Sequence, residues 1–118
     1  MTDIHVAPTG SDSAEGSATR PFRTIGRAAN AAQPGDTVVV HAGEYREWVK
    51  PPRGGRSDRR RITYTAAPGE RVVIKGSEAV TGWERVRRSL WKAVVPNTLF
   101  GDFNPFAEEI AGDWMVRP

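Results

Sequence analysis

At 118 residues the chain has room for one domain or a piece of one. Its 12 glycines and 9 prolines, about half again the usual combined share, favour turns and short strands over a helical bundle, while a hydrophobic fraction of 38% suffices for a core and argues against general disorder. The absence of cysteine excludes disulfides, zinc–thiolate and iron–sulfur sites and thiol nucleophiles, so any chemistry here must use oxygen or imidazole groups. The net charge of +3 is unevenly spread: residues 46–61 hold seven basic side chains against two acidic ones, whereas residues 99–113 carry Asp102, Glu108, Glu109 and Asp113 and no base.

In chain order, Ile4-His5-Val6 alternates as a short strand, and residues 7–13 form a dense cluster of turn residues. Thr24 then stands where a helix N-cap is expected, and Ile25, Ala28, Ala29 and Ala32 fall on one face of a helix over about residues 24–33. Its stripe of small residues suits close approach to another backbone, as a lid would need, and Pro34-Gly35-Asp36 ends it.

From Thr37 the pattern becomes short β segments: Thr37–His41, Tyr45–Val49, Arg61–Ala66 and Arg71–Lys75. They recur as pairs about 25 residues apart, the spacing expected when each coil is one supersecondary unit stacked on the last. Trp83–Val86 and Leu90–Val95 add two strands around Arg87-Arg88-Ser89. Beyond Pro96 the chain turns irregular, with one helical turn expected over Glu108–Gly112.

The physical reading is an all-β fold, the start of a right-handed parallel β-helix: an N-terminal strand, an amphipathic capping helix at about 24–33, then short stacked strands. Solenoids of this kind need about three or more units and a cap at each end, and this sequence shows one cap. The expectation is a fragment, or a subunit that needs a partner, with self-association through the uncapped end.

Ile4 to Asp12, Pro21-Phe22-Arg23-Thr24-Ile25, Gln33 to Val40 and Gly43 to Glu47 resemble the opening of right-handed parallel β-helix proteins. Arg46 to Pro51, Ser57 to Tyr64, Val73 to Glu78, Phe100 to Pro105 and Gly112-Asp113-Trp114 are similar to the β-xylosidases of glycoside hydrolase family 120. That resemblance implies a long enzyme in which a β-sandwich interrupts the β-helix, sugar bound where the two meet, and retaining hydrolysis of xylosides by an aspartate and a glutamate on later coils. It assigns no catalytic residue here, places residues 1–118 in the N-terminal cap and first coils, and makes 97–118 an irregular segment leading into an absent region. It offers Trp114 as the substrate-binding aromatic wall. The closing Met115-Val116-Arg117-Pro118 departs from the family pattern.

Two other classes stay open: a non-catalytic polysaccharide-binding or structural β-helix module, with Arg53 to Arg61 facing an anionic glycan, and the start of a polysaccharide lyase. The four carboxylates between Asp102 and Asp113 read as solvated loop acids, because spacing alone does not set two carboxyl groups across a glycosidic bond. Phe103 and Phe106 join Trp114 as sugar-stacking or packing aromatics. The arginine cluster lacks interleaved aromatics or a nucleic-acid motif and reads as a solvated or internally paired loop, with Arg59–Arg61 pairing to Asp58 or Glu47. His5 and His41, without ligands at metal spacing, read as ordinary strand residues. The expected partner is carbohydrate, with no metal, no cofactor, no nucleic acid and no membrane, and the absence of a signal peptide leads to an expected cytoplasmic location.

Overall fold

Alternation sets the first layer. In β1 (Asp3–Val6) Ile4 and Val6 share one face and are buried, and β2 (Thr37–Val40) repeats this with Val38 and Val40. A computed structural model of the chain describes residues 1–101. In it β1, β2 and β4 (Thr63–Ala66) form one parallel sheet in the order β1-β2-β4, with Ile4, Val38 and Tyr64 in one register column and Val6, Val40 and Ala66 in another. A second parallel sheet pairs β3 (Gly43–Arg46) with β5 (Val72–Lys75), Tyr45 opposite Ile74. β2 and β4 are each followed by a strand of the second sheet, β3 and β5, the winding of a parallel β-helix, whereas β1 is followed by a helix. The predicted stacking is therefore observed.

The N-terminal end of this stack is closed. Helix α1 (Ile25–Ala31) begins where the Thr24 side chain accepts from the Arg27 amide, and its buried face consists of Ile25, Ala28 and Ala29, with Ala32 beside them. It packs on β1 and β2, and Ile25, Ala28 and Ala32 join Ile4, Val6, Phe22, Val38, Val40 and Tyr45 in a single core cluster. Phe22 makes an isolated parallel bridge to Val6, its amide donating to the His5 carbonyl and its own carbonyl accepting from Ala7, so the outer edge of β1 is also partly paired. At the other end the same columns run out into solvent: Tyr64 is 38% and Ile74 57% exposed, although their register partners Val38 and Tyr45 are buried.

The helix is shorter than the expected 24–33, because Ala32 leaves helical geometry (φ −58, ψ 137) and the Gln33 amide turns to the Asp36 carboxylate. The second strand of the first pair starts at Gly43 and ends at Arg46 rather than running over 45–49. Glu47 leaves the strand to meet α1, and Trp48 is exposed.

The residues up to Ser77 form one compact unit, and a second begins at Glu78. In the second, β6 (Glu84–Arg87) and β7 (Leu90–Lys92) form an antiparallel hairpin rather than another coil. The two-residue turn puts Arg88 at φ 45, where its carbonyl accepts from Arg85 Nε, and Glu84 meets Lys92 across the strands at 3.2 Å. A 3-10 turn, η1 (Asn97–Phe100), follows. No helix among the described residues is long and apolar enough to cross a membrane.

Candidate functional site

Trp114, the expected sugar-binding residue, lies outside the described residues, as do Asp102, Phe103, Phe106, Glu108, Glu109, Asp113 and the expected turn over 108–112. What the structure places is the charged surface of the first unit, and part of it holds the cap.

α1 is gripped at both ends by the segment that follows β3. The Glu47 carboxylate accepts from the Ile25 amide at 2.9 Å and from the Gly26 amide at 2.8 Å, two of the donors a helix start leaves unpaired. At the other end Arg53 Nη1 donates to the carbonyls of Asn30 (2.9 Å) and Ala32 (2.7 Å). Arg60 donates to the Pro34 carbonyl just beyond, and Arg61 pairs with Asp58. The internally paired reading of the arginine cluster thus describes Arg53, Arg60 and Arg61, although Glu47 pairs with backbone amides and not with arginine.

Asp12 fastens the loop before the helix, accepting from the Arg23 and Thr24 amides and the Thr24 hydroxyl. Partial burial pushes its carboxyl up, but the Thr24 and Arg23 hydrogen bonds, with the nearby Arg27 charge, outweigh this and hold it below the usual carboxylate range. A depressed folded-state value stabilises at pH above the unfolded one and is lost as pH falls through the folded one. Wild type is therefore expected to lose stability below about pH 4 more steeply than Asp12→Asn, whose loss is already present at neutral pH; parallel acid-melting profiles would contradict this.

A groove of about 360 Å³ lies between Pro8, Arg23, Thr24, the β3 residues Glu44 to Arg46 and Glu47 just beyond them. Its acids are occupied. Glu44 binds Lys75 and Arg46, and the Lys75 hydrogen bond holds its carboxyl below the ordinary range, while Arg46 also donates to the Ser77 carbonyl. Burial raises the Tyr45 phenol, whose hydroxyl donates to the His41 carbonyl. Both carboxylates of the groove, Glu44 and Glu47, are thus engaged by donors of the chain itself.

Sequence spacing missed the histidines. They come together across adjacent coils, His5 Nδ1 3.0 Å from His41 Nε2, and Glu70 meets the other side of His41 at 3.1 Å. Among the described residues no group of three or more His, Asp or Glu is arranged to hold a metal ion.

Residues 80–118 match the insertion domain of glycoside hydrolase family 120, and residues 8–51 match a family of unknown function, DUF1565. The solved structure of XylC in complex with xylose is 56% identical, with a TM-score of 0.86 over 95% of this chain and 18% of that one. A solved glycoside hydrolase at 24% identity (TM-score 0.67, 81% of this chain and 18% of that one) and a rhamnogalacturonan lyase at 22% identity (TM-score 0.51, 63% and 22%) share the fold. The uncharacterized protein YwoF of Bacillus subtilis (strain 168) is 38% identical over 73 residues, 62% of this chain and 15% of that protein. The chain thus spans less than a quarter of the length of each of these relatives. The stacked parallel coils of the first unit are the fold of a right-handed parallel β-helix, and residues 80–118 resemble the insertion domain of glycoside hydrolase family 120.

Proposed function

We propose that the chain is the N-terminal segment of a β-helical glycoside hydrolase that acts on xylosides with retention, the two catalytic carboxylates being supplied by sequence beyond residue 118. The observation that carries this is the 56% identity, over 95% of the chain, to a protein solved with xylose bound. The occupied state of Glu44 and Glu47 in the first unit supports the companion claim that residues 1–118 alone are inactive. Residues 1–77 then serve as cap and first coils, residues 97–118 lead onward, and Trp114 lines the sugar site.

The test is to read the coding region past codon 118, express the extended protein, and assay an aryl β-xyloside. The extended protein hydrolyses it with retention and the 118-residue chain does not. Trp114→Ala in the extended protein raises KM about 3–10-fold, as loss of one stacking aromatic does. Hydrolysis by the short chain, or an extended protein indifferent to xylosides, overturns the reading.

The short chain is also expected to self-associate through the exposed column ending at Tyr64 and Ile74. Its mass by light scattering then rises with concentration, and a constant monomer mass excludes this.

A further inference from the structure

His5 and His41 are 36 residues apart in sequence, yet their rings stack with centroids 5.3 Å apart and 20° between planes, and His5 Nδ1 lies 3.0 Å from His41 Nε2. The second nitrogen of His41 faces Glu70 Oε1, and the second oxygen of Glu70 accepts from the Ala42 amide. The three side chains belong to successive levels of the stack: His5 on β1, His41 just after β2, Glu70 just before β5.

The donor and acceptor inventory of imidazole decides which protonation states this row tolerates. With both rings neutral, His5 Nδ1–H donates to His41 Nε2 and His41 Nδ1–H donates to Glu70, so every contact is made. With one proton added, His41 donates from both nitrogens, to His5 Nδ1 on one side and to the Glu70 carboxylate on the other. With two, N–H faces N–H across 3.0 Å, with like charges in contact and no acceptor between them.

We propose that the His5–His41–Glu70 row is an acid-sensitive stitch between successive coils, closed with zero or one proton and open with two. The group facing the rings is Glu70, and the Tyr45 hydroxyl fixes the backbone beside them by donating to the His41 carbonyl. Glu70 is the carboxylate on this row, and among the described residues no second one pairs with either ring to offset a second positive charge. The stitch ties β1 to the residue after β2 on the face opposite the buried Ile4, Val6, Val38 and Val40, so its opening loosens β1 from β2 and is independent of any sugar chemistry.

The test is thermal melting of the 118-residue chain at about pH 8 and about pH 5, a range that titrates imidazole and stays above most carboxylates. Wild type loses about 4–8 °C on acidification. His5→Gln loses little over the same range, because an amide oxygen can accept from a protonated His41. Equal losses in the two proteins, or no loss in wild type, overturn the proposal. Should His5→Gln fail to fold, imidazole nitrogen shifts of wild type decide: coupled uptake in two separated steps supports the stitch, and two independent single-step titrations refute it.

Discussion

Phe22→Ala lowers the stability of the chain by about 3–5 kcal/mol in urea unfolding, the largest single-site loss expected, because it removes a buried ring and leaves a cavity that its surroundings cannot refill. Phe22 is 3% exposed and sits in the core cluster between the β1 residues and α1. Its surroundings are rigid on several sides. A Cβ at Gly16 would lie 2.4 Å from the ring and one at Gly10 2.4 Å from the Phe22 carbonyl oxygen, while the Arg27 guanidinium lies 4.7 Å from the ring centroid. The backbone of Phe22 is held by its bridge to Val6, so the loop cannot follow the missing ring inward. Gly16→Ala should approach the same loss from the opposite direction, since Gly16 has φ 79 and its added carbon overlaps the ring. A loss below about 1 kcal/mol for Phe22→Ala would mean that the cap does not depend on this contact.

The cap was the most legible part of the sequence, and for local reasons. Thr24 and the spacing of Ile25, Ala28, Ala29 and Ala32 are consequences of one helix's own periodicity, and the structure buries those four residues. The stacked strands were legible as alternation, with Val38 and Val40 inward, and as a recurring pair. What escaped depends on register between coils. His5 and His41 become neighbours because β1 and β2 stack in parallel with Val6 beside Val40, a relation that no local window contains.

Strand direction escaped in the same way. The segments near Trp83 and Leu90 look like further coil strands, yet a two-residue turn with Arg88 in the left-handed region joins them as an antiparallel hairpin. A residue type that rarely adopts that conformation gives no warning of the turn. Trp114 stands apart, because the reading of it came from family resemblance.

Glu47→Ala is expected to cost about 1–3 kcal/mol, read as a lower urea midpoint at unchanged slope. α1 has seven residues, too few to persist on propensity, so its existence rests on tertiary support at its ends. Glu47 supplies that support at the N-terminus with one oxygen on each of two adjacent amides, where a negative charge also complements the helix dipole. The approach requires a small residue at position 26, since a Cβ there would lie 3.3 Å from Glu47 Oε2.

Glu47→Gln keeps the shape but has one acceptor, and its amide nitrogen would face an N–H, so it should recover no more than about half of the loss. Arg53→Ala removes the matching grip on the Asn30 and Ala32 carbonyls, at a smaller cost because the Asn30 carbonyl lies at an exposed position. The two grips hold one short helix from a single strap, so the double variant should lose less than the sum of the singles, since freeing one end already removes most of what the other end was holding. Strict additivity would mean that the two ends are independent. Drawing Arg53 to a ligand would then cost only its own grip and leave the Glu47 end of the helix undisturbed.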